Sequence, residues 1–175
     1  MNRAKKAAYL GLSLALCLIL SYLESLLPFQ FGIVGFRIGL PNFLILLLLS
    51  TQGFGSAISV NILRILIVNL LFGNIISLAF SLAAGVLSTL LMFALLKLRS
   101  VGFLGASAAG GACHNMVQVA VAAILFKNTA LLKLCPPLMM LGLFTGIFCG
   151  ILSCLCHDRI EKLGIGTKAG NCKKI

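Results

Sequence analysis

The sequence predicts an all-α integral membrane protein, a bundle of six transmembrane helices with its N- and C-termini both cytoplasmic. Three observations predict it. Of the 175 residues, 61% are hydrophobic, and the mean hydropathy is +1.15. Only 10% are charged, against about a quarter in soluble domains, so a water-facing shell cannot be assembled. The apolar stretches are also broken at intervals that, at about 20 residues per crossing, leave room for six helices and short loops. A soluble enzyme, a disordered linker and a secreted disulfide scaffold are excluded, and no extramembrane catalytic domain fits.

The spans follow from the punctuation. Span one covers about residues 7–27 and stops at Pro28, which has no N–H to extend the ladder. A loop with Gly32 and Gly35 follows. Span two, about 38–51, is short, with Pro41 near its start, where proline is tolerated. Gln52, Gly53 and Gly55 make a turn into span three, about 56–72. Gly73-Asn74 turns into span four, about 75–96, and a basic loop leads to span five, about 103–126. Pro136-Pro137 opens span six, about 136–156, leaving 157–175 as a basic cytoplasmic tail rich in glycine. No internal repeat or low-complexity segment interrupts this single domain. The N-terminus has the basic start of a signal peptide, but the apolar run continues to Leu27 without a cleavage pattern, which predicts an uncleaved first helix.

A net charge of +11 would suggest nucleic acid in a soluble chain, but here the charge flanks the spans. With an even number of crossings, Arg3, Lys5, Lys6, Lys97, Arg99 and five basic tail residues share the termini's side, ten in all. Arg37, Lys127 and Lys133 face the other side, and Arg64 lies inside span three. Ten against three places the termini in the cytoplasm, with the lipid bilayer and its anionic headgroups as the partner and no nucleic acid. The seven cysteines lack framework spacing and mostly sit in apolar runs, where Cys packs as a small hydrophobe. Cys154, Cys156 and His157 form a C-x-C-H cluster, but zinc ligand pairs are usually spaced C-x2-4-C, so no metal is expected there.

Small residues repeat every fourth position in span one (Ala7, Gly11, Ala15), span four (Ser77, Ser81, Gly85) and span six (Gly142, Gly146, Gly150). Such stripes let backbones approach closely. In spans four and six packing suffices as the reason, whereas the first stripe equally suits a partner subunit. Polar residues inside apolar runs are costly and face each other or a cavity. Glu24 is either paired with Arg37 across the first loop or merely interfacial. Asn42 lies in the first turn of span two. Asn61 and Arg64 share one face of span three, where Arg64 either snorkels or opposes an anionic group. In span five, Gly110, His114 and Gln118 are four apart, with Gly111 and Asn115 alongside, more polarity than packing requires.

These residues in this order resemble one family. The pieces are Ser21-Tyr22-Leu23-Glu24 with Pro28, Arg37-Ile38-Gly39-Leu40-Pro41-Asn42, Asn61-Ile62-Leu63-Arg64, Ser81-Leu82-Ala83-Ala84-Gly85, and Gly105-Ala106-Ser107 leading to Ala112-Cys113-His114-Asn115 and Gln118. Together they resemble the membrane family described as heptaprenyl diphosphate synthase component I, also called the Gx transporter family, over about residues 10–156. That family is similar to the substrate-binding (S) components of energy-coupling-factor transporters of the bacterial cytoplasmic membrane. The resemblance implies a six-helix protein that captures a small micronutrient-like ligand near the outer face. It would dock on a transmembrane coupling subunit driven by ATP-binding subunits. The implied ligand-binding candidates are Glu24, Arg37, Asn42, Asn61, Arg64, His114, Asn115 and Gln118, and the implied docking stripe is Ala7, Gly11 and Ala15. Alanine is the commoner residue in that stripe, so Gly11 departs from the pattern.

No catalytic role or cofactor is expected. Prenyl chain elongation needs magnesium held by clustered aspartates, and this chain has three acidic residues, none paired that way. A P-loop is absent from the sequence. The alternative is a non-catalytic membrane accessory subunit of a heptaprenyl diphosphate synthase; an ion or proton channel built on Glu24, Arg64 and His114 ranks last. The orientation is testable. Alkaline phosphatase fused after Lys133 should be active in bacteria and a fusion after Lys97 inactive; the reverse result would invert the bundle.

Overall fold

The structure is a computed structural model, and it describes residues 2–26, 39–98 and 101–162. Its helices are α1 (Arg3–Leu26), α2 (Asn42–Thr51), α3 (Phe54–Phe72), α4 (Ile75–Lys97), α5 (Phe103–Leu125) and α6 (Cys135–Lys162), with a 3-10 helix at Thr129–Leu134 before α6. Among the described residues there is no strand. Five of the helices are long and apolar enough to cross a bilayer, which makes this a multi-pass membrane protein. Such a chain has to satisfy its backbone within each helix, because hydrocarbon offers no hydrogen-bonding partner.

The turns carry the expected chemistry. Asn74 caps α4 by accepting the Ser77 N–H at 2.7 Å, an ordinary N-cap bond. Gly53 adopts φ 83° between α2 and α3, a left-handed conformation that glycine reaches without steric cost. Three boundaries differ from the sequence reading. Helix α1 begins at Arg3, so the basic residues occupy its first turns. Helix α6 runs on to Lys162 rather than ending near Cys156, because nothing between Cys156 and Lys162 breaks a helix. Helix α2 starts at Asn42, where the left-handed Gly39 and the turn at Leu40-Pro41 prevent an earlier start.

Helix α2 is the hub. It touches α3, α4, α5 and α6, and every residue from Leu44 to Thr51 is buried. A helix buried all round needs no polar face, and its Leu-Ile-Leu-Leu-Leu-Leu run has none. Its ten residues span about 15 Å, half of the roughly 30 Å hydrocarbon core. Gly39, just before it, lies beside His114, halfway along α5. The Leu40 carbonyl lies 3.8 Å from Cys149 Sγ, halfway along α6. Helix α2 therefore fills one half of the bundle's interior and begins near mid-depth.

Contacts at the filled end fix the register of the other helices. Tyr9 reaches Thr51 at 3.5 Å, Phe54 packs on Phe93, and the His157 ring lies against Phe103. Ser50 donates to the Leu47 carbonyl, and its hydroxyl lies at hydrogen-bond distance, 3.2 Å, from His157 Nδ1. The start of α1 and the end of α6 therefore lie at the same end of the bundle, while Tyr22 and Phe72 pack at the other.

The broadest contact joins α5 and α6, and glycine makes it. A methyl at Gly142 would lie 2.5 Å from the Gly111 carbonyl oxygen, and one at Gly146 would lie 2.5 Å from that of Ser107. The span-six stripe thus does what small residues do in membranes, bringing two backbones together. The span-four stripe packs as well: Gly85 faces Ile65 and Asn61, and Ser77 donates to Asn69 Oδ1 at 3.0 Å. The span-one stripe differs. Ala7, Gly11 and Ala15 are all exposed, and nothing lies within 4 Å of the position a Gly11 side chain would take. Gly142→Val should lower the thermal midpoint in detergent, at a cost of about 1–3 kcal/mol from overpacking against backbone that cannot yield. Gly11→Leu should leave that midpoint unchanged; equal losses from both would contradict the assignment of the two faces.

Candidate functional site

Every described candidate residue named from the sequence turns inward. Glu24, Asn42, Asn61, Arg64, His114, Asn115 and Gln118 are all buried, each 6% exposed or less. Arg37 lies outside the described residues. Hydrocarbon excludes unpaired polar groups, so inward orientation is the physical expectation. The useful distinction is which of these groups are committed to one another.

Glu24 is committed to backbone. Its Oε1 accepts the N–H groups of Gly39 and, at 3.2 Å, Leu40. It is buried within the protein. Gly39 has φ 92°, a conformation that favours glycine, and a side chain there would meet the Asn42 amide, Nδ2 at 2.9 Å. The four first N–H groups of a helix lack intrahelical partners, and those of α2 are bonded by tightened turns from Gly39 to Pro41. A carboxylate at this end also complements the positive pole of the helix dipole.

Arg64 ties three helices together. Its Nη1 donates to Ser21 Oγ of α1 at 3.2 Å and its Nη2 to Asn61 Oδ1 at 2.8 Å. The Asn61 amide in turn donates to the Gly85 carbonyl at 3.0 Å and Thr89 Oγ1 at 2.8 Å of α4. Snorkelling is therefore ruled out for Arg64: the guanidinium stays inside, and its terminal nitrogens are used.

Helix α5 distributes its polar residues around its circumference. Gly110 receives the Met92 side chain of α4, so this notch serves packing. Gly111 and Asn115 face α6, where Asn115 Nδ2 donates to the Leu138 carbonyl at 2.9 Å. His114 faces the α2 start. Gln118 stands one turn further on the same strip, 1% exposed, with no hydrogen-bond partner for either Oε1 or Nε2 among the described residues. Asn42 likewise uses neither amide atom, and Ser81 Oγ, Ser107 Oγ, Arg64 Nε and Asn115 Oδ1 are also unpartnered there. Each such buried group costs about 1–3 kcal/mol relative to a satisfied one, so together they are expensive to keep. The hydroxyls of Ser21, Ser81 and Ser107 were visible in the sequence only as parts of motifs and stripes. Their depth inside apolar helices was the one signal that could have singled them out.

At the filled end, His157 is held by Ser50 and Phe103, so its ring serves the joint between α2 and α6. No group of three His, Cys, Asp or Glu gathers among the described residues.

A family model described as heptaprenyl diphosphate synthase component I matches residues 14–155. The chain belongs to that family. The match covers all of the ligand-binding candidates, helices α2 to α5 in full, the later half of α1 and most of α6, while Ala7 and Gly11 lie before it. No curated protein and no solved structure matches the chain. The name heptaprenyl diphosphate synthase component I describes one part of a synthase, and the described residues hold no pair of acids at the layer of buried polar groups.

The Arg64 network is open to a double-mutant cycle. Asn61→Leu, which strips one partner from a buried charge, should destabilise the protein by about 2–4 kcal/mol. Adding Arg64→Met should recover most of that loss, since removing both partners leaves little unpaired. Purely additive losses in detergent unfolding would show that the two side chains do not interact.

Proposed function

We propose that the protein is a membrane-embedded substrate-binding component of an energy-coupling-factor type transporter, capturing a small ligand for ATP-driven uptake through partner subunits. The observation that carries this reading is the pair of buried carboxamides, Asn42 at the start of a helix that begins at mid-depth and Gln118 on α5, neither with a hydrogen-bond partner among the described residues. Broken or half-length helices whose ends meet at the middle of the membrane are a recurrent way of building transporter sites. A fold that retains several unpaired polar atoms loses stability, and a bound molecule that pairs them returns it.

On this reading α2 counts as the sixth crossing, both chain ends are cytoplasmic, and the membrane is the bacterial cytoplasmic one. The ligand enters from the outer side, above the start of α2. Asn42, His114 and Gln118 meet it directly. Glu24, Asn61, Arg64 and Asn115 hold the surrounding helices in place. The exposed stripe of Ala7, Gly11 and Ala15 meets the coupling subunit, and the ATP-binding subunits act through it. The residues from 157 onward, with their basic charge, face the cytoplasm.

A second reading has the family description in its favour: a non-catalytic membrane subunit that anchors a soluble heptaprenyl diphosphate synthase. The two readings part on what accompanies the protein out of the membrane. The transport reading expects a tagged full-length chain to bring down an ATP-binding module, with Gly11→Leu losing it. It also expects native mass spectrometry to find a small molecule retained. Recovery of a soluble prenyltransferase with phospholipid as the only adduct would overturn transport in favour of the anchor.

A further inference from the structure

We propose, on the footing of the capture role above, that the ligand is a small uncharged molecule with a cyclic amide or ureide edge, read by the Asn42 and Gln118 carboxamides.

Charge is the first discriminator. An anionic ligand is best held by the parallel N–H pair of a guanidinium, but Arg64 already donates from each terminal nitrogen, to Ser21 and Asn61, which holds the fork against neutral partners. The start of α2 would otherwise attract an anion through its dipole, yet the Glu24 carboxylate already occupies that end. A second negative group in the same dry layer would face it without compensation, and burying an uncompensated charge is prohibitive. A cation would share the layer with Arg64. An uncharged ligand meets neither penalty.

Hydrogen-bonding capacity is the second. A carboxamide offers an acceptor oxygen beside two N–H donors, and all four polar atoms of Asn42 and Gln118 are unpartnered among the described residues. A purely acceptor ligand would leave both oxygens unpaired. A molecule with N–H next to C=O matches a carboxamide with two parallel bonds, and a ring amide or ureide presents that edge in a fixed geometry. Placement agrees. Asn42 packs at Gly39 beside His114, and Gln118 lies on the order of 6 Å further along α5. Both amides are therefore neighbours of His114, Asn42 at the start of α2 and Gln118 one turn along α5.

The test uses full-length protein in detergent with uracil and 2-imidazolidinone as probes, against succinate and inorganic phosphate, all at millimolar concentration. The two ring amides should raise the thermal midpoint and the two anions should not. Gln118→Leu should raise the midpoint of the ligand-free protein, since a buried unpaired amide is gone, and weaken both probes roughly tenfold. Asn42→Leu should weaken them similarly, which guards against a folding defect in either variant. Stabilisation by succinate or phosphate, or unchanged probe affinity in both variants, would overturn the assignment. If neither probe set acts, the composition of any molecule retained in native mass spectrometry decides. A retained compound lacking a ring amide or ureide sinks the ligand class and leaves capture standing, whereas the absence of any retained compound sinks both.

Discussion

A backbone N–H at the middle of a bilayer has to find its acceptor within the protein, and the architecture here is arranged around one such demand. Helix α2 starts at mid-depth, and the N–H groups of Gly39 and Leu40 stand in a layer that water does not reach from lipid. Glu24 of α1 supplies the acceptor for both. That bond fixes where α1 ends relative to α2 and places a single negative charge at the positive pole of α2. Arg64 completes the arrangement from α3 by reaching Ser21, three residues before Glu24 on the same helix. Two opposite charges thereby sit in one layer, each held by neutral hydrogen-bonding groups.

This division of labour separates scaffold from site. Asn61, Arg64 and Asn115 bond to other helices, and removing them would loosen the bundle. The Asn42 and Gln118 amides hydrogen-bond to nothing described and so tie no helices together by hydrogen bonding. Natural proteins accept such losses where function requires them. The family description alone would not have distinguished the two groups, because it names an assembly rather than a chemistry.

Much of this was legible in the sequence. Polar residues in apolar helices could be assigned inward from solvation alone, and Asn42, Asn61, Arg64, His114, Asn115 and Gln118 are all buried. Helix number and most boundaries followed from Gly, Pro and Asn punctuation. Three features did not follow. The use of Glu24 by backbone N–H groups depends on a helix starting at Asn42, and Pro41 is compatible with a start on either side of it. Asn61 shares a face of α3 with Arg64, but the other partner, Ser21, lies on α1, and spacing along one chain cannot select it. Gly110 looked like part of a polar strip, yet it receives Met92, because the neighbouring helix decides what fills a notch.

Stiffness is distributed unevenly through the bundle. Helices α5 and α6 are locked backbone to backbone at Gly111, Gly142 and Gly146, with no compressible side chains between them. Helix α1 rests chiefly on α3, joined by the long Arg64 side chain, while at its far end a 3.5 Å contact runs from Tyr9 to Thr51 of α2. Any breathing of the assembly therefore concentrates at the α1–α3 seam. The seam that yields first also carries Glu24, so outward displacement of α1 withdraws the acceptor from Gly39 and Leu40 and unsettles the start of α2 in the same movement.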